Sequence, residues 1–303
     1  MSSYPKIDIH QHASKKSYLP DGTPVPNMVT GQPAEATTDE EVMLYTLEYM
    51  DKNNIEKSVL TWSLDNLYKW VDYAPDRFIP GICMSTSVLG EPYPDPDMLR
   101  DEIKAGRIQV MGEIATMYDG IPPNDPILEP YYALAEEMDI PVLVHCCGTS
   151  APNSPAYCKH GSPLLLEDVI KKHPNLRIWL ENAGYPYLDE MTVLMMMHPN
   201  VYCDVSTITW LTPSEAFYDY MGRLVKAAYL GFGLPIVKRV MFGSDQMQWP
   251  ETIDWAVERI EQAPFPHRRT EARHLLQQRQ TIPTTLIDDF IPHTHTCSAS
   301  PRK

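Results

Sequence analysis

Short apolar runs and longer amphipathic stretches alternate along the chain. The short runs are rich in β-branched or apolar residues, which favours strands. They lie at 6–12, 57–62, 78–84, 107–114, 140–147, 176–184, 201–207 and 239–245. Helical spacing of apolar residues follows at 39–54, 97–106, 127–139, 164–173, 187–198, 215–231 and 252–263, with a weaker pattern at 67–75. Eight βα units in sequence predict an α/β fold, a (βα)8 TIM barrel rather than an open sheet.

Polar residues stand at the C-terminal ends of most predicted strands. That end of a TIM barrel carries the active site. The residues are His10 and His12 on strand 1, Glu113 on strand 4, His145 on strand 5, Asn182 on strand 6, Asp204 on strand 7 and Asp245 on strand 8. His10 and His12 are two positions apart, so in a strand their imidazoles point to one side. Three histidines and a carboxylate are a ligand set suited to zinc or a similar divalent ion.

The composition limits the classes of partner. A net charge of −15 argues against nucleic acid or an anionic membrane as partner. No apolar stretch approaches transmembrane length and no signal peptide precedes the first strand. The six cysteines have no C-x-x-C spacing, which favours free thiols in a reducing compartment. We therefore expect a cytoplasmic protein that acts on a small molecule, with a homodimer as the candidate assembly.

Three motifs carry a resemblance to a known family. "DIHQH" on strand 1, "VLVHC" on strand 5 and "MFGSDQMQWPE" on strand 8 resemble the amidohydrolase superfamily. More narrowly, they resemble its amidohydrolase-related group (family 2), which also contains aminocarboxymuconate-semialdehyde-type decarboxylases. The resemblance implies one divalent metal, zinc before manganese or iron, held by His10, His12, His145 and Asp245. It also implies that Asp245 acts as general base and then as general acid. Glu113 is either a further ligand or an acceptor that fixes a histidine tautomer.

The chain departs from this family on strand 6. Relatives usually carry a histidine there, whereas "LENAG" places Asn182 at that position. Asparagine can donate a hydrogen bond or orient a water, but it cannot shuttle a proton. Three interpretations stay open: catalysis by Asp245 without a strand 6 histidine, replacement by Glu181 despite its opposite strand parity, or a weakened enzyme. We favour the first and keep Asn182 as a candidate catalytic residue.

The predicted function is metal-dependent hydrolysis of an amide, lactone or ester of a small organic compound. A metal-dependent, non-oxidative decarboxylase is the alternative, and an impaired or non-catalytic barrel is a third interpretation. Lys159 is a candidate for binding a substrate carboxylate, although a loop lysine is more often solvated. Tyr185, Trp210 and Trp249 follow strands 6 to 8 and either wall a pocket or pack the rim. The Pro- and Gly-containing segment 13–38 is a candidate lid.

The C-terminal segment differs in character from the rest of the chain. We divide the chain into a barrel domain, 1–265, and a tail, 266–303, with no helical pattern and four of the ten histidines. The family resemblance implies a closing helix of the type "LTEEQKRDI-YNNA-RFL" there. Codons that encode "ARHLLQQRQTIP", residues 272–283, can be read one base later as RDIFYNNARQF. We therefore predict that a single-base frameshift near Pro266 replaced that helix with out-of-frame or disordered sequence.

Overall fold

Eight parallel strands form the centre of the molecule. The computed structural model describes residues 5–148, 154–230 and 236–263. The strands pair in chain order from first to last. They are β1 Lys6–His12, β2 Ile55–Trp62, β3 Phe78–Met84, β4 Val110–Ile114, β5 Val142–Val144, β6 Ile178–Leu180, β7 Val201–Asp204 and β8 Val240–Met241. Backbone hydrogen bonds from Ile9 N to Phe242 O and from Asp245 N to His10 O link the two ends of the sheet. The predicted TIM barrel is confirmed.

Helices follow the strands around the outside. They are α1 Asp39–Lys52, α2 Leu64–Tyr73, α3 Thr86–Leu89, α4 Pro96–Lys104, α5 Glu129–Glu137, α6 Glu167–Lys172, α7 Leu188–Met197, α8 Ile208–Leu211, α9 Ser214–Leu230 and α10 Thr252–Glu261. The eight predicted helices are present, and the short α3 and α8 are additional. None of the described helices is both long and apolar enough to cross a bilayer. The predicted tail, 266–303, lies outside the described residues.

Several strands are shorter than the sequence predicts. β5, β6 and β8 have only three, three and two residues, and β5 and β6 end directly before the polar residues His145 and Glu181. After β6 the chain enters a 3₁₀ turn, Glu181–Gly184, in which Asn182 and Ala183 have left-handed φ angles of 57° and 49°. The polar positions after β5, β6 and β8 are therefore loop residues at the barrel mouth, whereas His10, His12, Glu113 and Asp204 lie within strands.

Two apolar layers hold the barrel together. The larger layer lies between the strands and the helices and contains Tyr132, Leu60, Met84 and Leu180. The smaller one fills the barrel interior, as expected for a TIM barrel whose centre is a packed core. We call it the inner layer: Ile9, Val59, Ile79, Val110, Leu143, Trp179 and Met241, with Ile7 and Tyr202 against it. Since side chains alternate along a strand, the inner layer fixes which later positions face the mouth.

The segment 13–38 runs over the mouth and is attached to the connection between β8 and α10. The Ser17 backbone N–H donates to Gln248 Oε1 at 2.9 Å. The Asn27 amide donates to Glu251 Oε1 at 2.7 Å. The candidate lid is thus held by two side chains that follow β8 closely.

Candidate active site

A bulge in β1 brings both strand 1 histidines to the mouth. The register against β2 shifts between Asp8 and Gln11, so β1 gains one residue there. The buried Asp8 carboxylate accepts a hydrogen bond from the His10 backbone N–H at 3.1 Å inside this bulge. Ile9 belongs to the inner layer, and His10 and His12 then face one another above it.

A second bulge, in β4, brings the Glu113 side chain to the mouth. The register of β4 shifts between Met111 and Ile114. Gly112 has a φ of 128°, and a Cβ there would stand 2.3 Å from the carbonyl oxygen of Leu143. Only glycine is compatible with both the conformation and the close approach. The bulge turns the Glu113 carboxylate towards His12.

Three further strands deliver side chains at the position two residues beyond the inner layer: His145 after Leu143, Glu181 after Trp179 and Asp204 after Tyr202. Glu181 Oε1 lies 3.7 Å from His10 Nε2. Asn182 has the opposite parity, and its Oδ1 accepts a hydrogen bond from Ser206 Oγ at 2.9 Å. The strand 6 residue beside the histidines is therefore Glu181, whereas the predicted Asn182 points towards β7.

Ring nitrogens and carboxylate oxygens converge at the centre of the mouth. His10 Nε2 and His12 Nε2 are 3.2 Å apart. Asp245 Oδ1 is 3.1 Å from His12 Nε2 and 3.8 Å from His10 Nε2. Glu113 Oε2 is 3.5 Å from His12 Nε2. Ligands bonded at 2.0–2.1 Å to one tetrahedral ion are about 3.3 Å apart. The ligand atoms of His10, His12 and Glu113 all lie within 4.8 Å of one another, so these three side chains fit a common divalent cation, and Asp245 Oδ1 stands beside the two histidines.

Hydrogen bonds behind the histidines fix their orientation. His10 Nδ1 donates to Asp204 Oδ2 at 3.2 Å, and His12 Nδ1 is hydrogen-bonded to Thr61 Oγ1 at 2.9 Å. Trp179 Nε1 donates to the same Asp204 oxygen at 2.9 Å. With Nδ1 engaged, each Nε2 lone pair is directed into the mouth, as metal-binding histidines require.

The mouth carries a large buried negative charge. Glu113, Glu181, Asp204 and Asp245 are all buried. In the described part of the chain, the side chains within ion-pair distance of these acids are histidines. Asp245 Oδ1 and both Glu181 oxygens accept no hydrogen bond. Buried carboxylates of this kind are normally paired or bind a metal, so the donor set fits a cation.

The same surroundings shift the acid pKa values in opposite directions. Burial alone would raise the pKa of Glu113, but the hydrogen bond from His145 and the nearby His12 lower it to about 2. Burial is likewise outweighed at Asp245, where the His10 and His12 imidazoles hold the pKa below its ordinary value. Burial, reinforced by the Glu113 carboxylate, raises the pKa of Glu181 well above its ordinary value.

His145 is held from both sides. Its Nδ1 donates to Glu113 Oε1 at 2.8 Å, and its Nε2 accepts from the Tyr118 hydroxyl at 3.0 Å. Tyr118 lies in a 3₁₀ turn, Thr116–Asp119, directly after β4. The predicted ligand His145 is thus adjacent to Glu113, and one of its hydrogen bonds must open before it can bind a metal.

The four predicted substrate-binding residues have other contacts. Lys159 is exposed, with Nζ 5.6 Å from the centroid of the Tyr157 ring. Tyr185 packs at 5.3 Å from Tyr220 in the core. Trp210 and Trp249 are both buried, with ring centroids 6.5 Å apart. These are contacts of rim and core packing, and a role in substrate binding stays a prediction.

Four residues at the site were missed or misplaced by the sequence reasoning: Thr61, Tyr118, Glu181 and Thr207. The Thr207 hydroxyl donates to Asp245 Oδ2. Thr61 lies two residues after the inner-layer residue Val59 and so faces the same side of β2. The alternation of side chains along β2 could therefore have identified it. Tyr118 and Thr207 follow their strands in turns, for which strand periodicity gives no signal.

Comparisons with known proteins agree with this geometry. A protein-family profile described as amidohydrolase matches residues 7–276. No curated protein matches the sequence. Among solved structures, a probable 2-pyrone-4,6-dicarboxylic acid hydrolase from Acinetobacter baumannii is 14% identical, with a TM-score of 0.60, over 91% of this chain and 98% of that one. The 4-oxalomesaconate hydratase of Rhodopseudomonas palustris is 17% identical, with a TM-score of 0.58, over 94% and 97%.

A decarboxylase shares the fold as well. The 5-carboxyvanillate decarboxylase of Novosphingobium aromaticivorans, in complex with manganese, is 14% identical, with a TM-score of 0.51, over 91% of this chain and 94% of that one. At these identities the solved structures establish the fold alone. The neighbouring structures thus include a hydrolase, a hydratase and a decarboxylase.

Proposed function

Because the chain belongs to the amidohydrolase family, we propose that it is a metal-dependent hydrolase of an amide, lactone or ester of a small organic molecule. One observation supports this most directly. Asp245 Oδ1 is buried, accepts no hydrogen bond and stands beside both His10 Nε2 and His12 Nε2. A carboxylate in that position can accept a proton from water next to the ion-binding atoms.

His10, His12, Glu113 and Asp245 are the residues that would hold the divalent ion. When bound, such an ion lowers the pKa of a water and polarises a carbonyl group. Zinc is our first candidate, and manganese is the ion named with the decarboxylase that shares this fold.

The chain's own residues perform the proton transfer. Asp245 takes the proton from the attacking water with its carboxylate and later gives it to the leaving oxygen or nitrogen. Thr207 donates to Oδ2 and so keeps Oδ1 turned towards the histidines. The lowered pKa of Asp245 keeps its carboxylate ionised and able to accept that proton.

The test follows acid release and CO2 release by the metal-loaded protein on a panel of lactones, esters, amides and hydroxybenzoates. We expect acid release from a lactone, ester or amide, and no CO2 release. CO2 release without acid release would replace the hydrolase by the decarboxylase. Turnover of no compound by the metal-loaded protein would favour the non-catalytic barrel.

A pair of threonine variants links turnover to Asp245. T207V removes the hydroxyl that donates to Asp245 and leaves the metal ligands in place, so we expect a roughly tenfold lower kcat. T209V is the matched control, since Thr209 is buried on the same turn but donates to Ser206 O at 2.7 Å. Equal kcat values for T207V and T209V would argue against Asp245 as the base.

A further inference from the structure

We propose that Gln246 and Gln248 are positioning residues that couple segment 13–38 to the metal ligand His12, so that closure of the segment and cation binding favour each other. The inference rests on the proposed function, because it takes a divalent ion as bound at the mouth. Both glutamines lie in the connection between β8 and α10, and we call its part 245–251 the coupling loop.

Gln246 supplies backbone hydrogen bonds that the two-residue strand β8 is too short to give to the end of β1. Its side chain is fully buried, with 0% exposure. Its Oε1 accepts from the His12 backbone N–H at 3.1 Å, and its Nε2 donates to the His12 carbonyl oxygen at 2.7 Å. Because one planar amide holds both backbone groups of His12, a movement of Gln246 moves His12 with it.

The coupling loop also holds segment 13–38. Gln248 Oε1 accepts from the Ser17 backbone N–H at 2.9 Å. Glu251 Oε1 accepts from the Asn27 amide at 2.7 Å. The first two residues of the loop therefore contact the candidate active site, and the later ones contact the segment.

The backbone of the coupling loop depends on these contacts for its shape. Asp245 and Met247 have left-handed φ angles of 50° and 47°. Residues with a side chain rarely adopt this conformation, and it persists where the surroundings impose it. Since Met247 stands between Gln246 and Gln248, release of the segment from Gln248 removes part of that constraint and lets Gln246 shift.

A buried pair of opposite charges indicates the direction of closure. Lys16 Nζ and Glu251 Oε2 are buried, and neither has a hydrogen-bond partner among the described residues. Burial lowers the pKa of Lys16, and the Glu251 carboxylate opposes this effect. A closer approach of the segment would let Lys16 donate to Oε2 while Asn27 keeps Oε1. Buried charges are favourable when they are paired, so these two groups favour the closed arrangement.

Coupling between two sites is reciprocal. A cation bound beside His12 should therefore hold segment 13–38 closed. Tyr18 provides the readout, because its side chain is 54% exposed and chymotrypsin cuts after tyrosine. Cleavage between Tyr18 and Leu19 should be faster when the segment is released from the coupling loop.

Limited proteolysis of the full chain tests the proposal. Protein stripped with a chelator is digested with chymotrypsin without and with saturating Mn²⁺, and bound manganese is measured by elemental analysis. We expect Mn²⁺ to slow cleavage after Tyr18 about fivefold or more in the wild type, and to have no effect in Q246M, which lacks the amide. Q109M is the matched control and should keep the protection, since Gln109 is an amide at the opposite end of the barrel that donates to Gly106 O at 3.4 Å.

Each result has a separate meaning. Equal cleavage of the wild type with and without bound Mn²⁺ would overturn the coupling, and hydrolysis by the same protein would leave the proposed function intact. No bound manganese in the wild type would overturn both. Wild-type protection in Q246M would also overturn the proposal, because the link through His12 would be unnecessary. Should Q246M fail to fold, Q248M decides the question, since it removes only the acceptor for Ser17 and must lose the protection.

Discussion

Gly243 makes a close contact with a candidate ligand, and replacing it tests how tightly the site is positioned. It follows β8, and a Cβ at this position would lie 2.7 Å from His10 Cβ and 3.2 Å from Ser206 Cβ. Carbon atoms in contact prefer about 3.5–4.0 Å, so G243A must push His10 away by roughly 1 Å. Overpacking of this kind costs about 1–3 kcal/mol of the free energy of unfolding.

The same displacement acts on the metal site. His10 is held by its Nδ1 bond to Asp204, so a shift of its Cβ tilts Nε2 relative to His12 Nε2. Changes in the support of a ligand typically cost 10- to 100-fold in metal affinity. We therefore expect G243A to bind Mn²⁺ about 10- to 100-fold more weakly than the wild type.

The assay combines denaturant unfolding with a metal titration of the stripped protein. G222A is the control, because a Cβ at Gly222 in α9 meets nothing within 4 Å. It should raise the free energy of unfolding by about 0.5–1 kcal/mol and leave the metal affinity unchanged. A G243A protein with wild-type stability and wild-type metal affinity would refute the positioning of His10 described above.

Three further predictions concern neighbouring features. D204N replaces the acceptor for His10 Nδ1 by an amide, so the Kd for Mn²⁺ should rise about 10- to 100-fold in the same titration; an unchanged Kd would mean that His10 needs no such support. N182H should not raise kcat, because the side chain at Asn182 points to Ser206; a large gain on the substrate identified by the panel would instead indicate an enzyme impaired at this position. DNA sequencing of the source should reveal a one-base change near Pro266 that restores a reading frame ending in the RDIFYNNARQF-type helix, and an intact frame would disprove the frameshift.

Strand periodicity predicted the fold and the two histidines of β1, because both depend on alternation within short segments. It could not predict the bulge between Asp8 and Gln11, which depends on pairing with β2. The same holds for Glu113, whose direction is set by the β4 bulge at Gly112. The sequence nevertheless indicates His10, His12 and Glu113 as candidates, since histidine and glutamate are conspicuous at the ends of apolar runs.

Glu181 and Asn182 illustrate a different limit. The apolar run 176–184 predicts one strand with Asn182 on the site face. The observed strand ends at Leu180, and the inner-layer residue Trp179 places Glu181 on the inward side. Which parity faces inward is a property of the closed barrel, so one strand read alone cannot reveal it.

The inner layer determines how substrate and product reach and leave the candidate active site. Its side chains fill the barrel directly below the histidines, so in the part of the chain that the structure describes the histidines are reached from the mouth, where residues 13–38 are attached. A molecule bound in the mouth would therefore block turnover in two ways at once, by excluding the substrate and by trapping the product. An inhibitor therefore need not resemble the substrate at the reacting bond. A molecule whose shape is complementary to the barrel mouth would be sufficient.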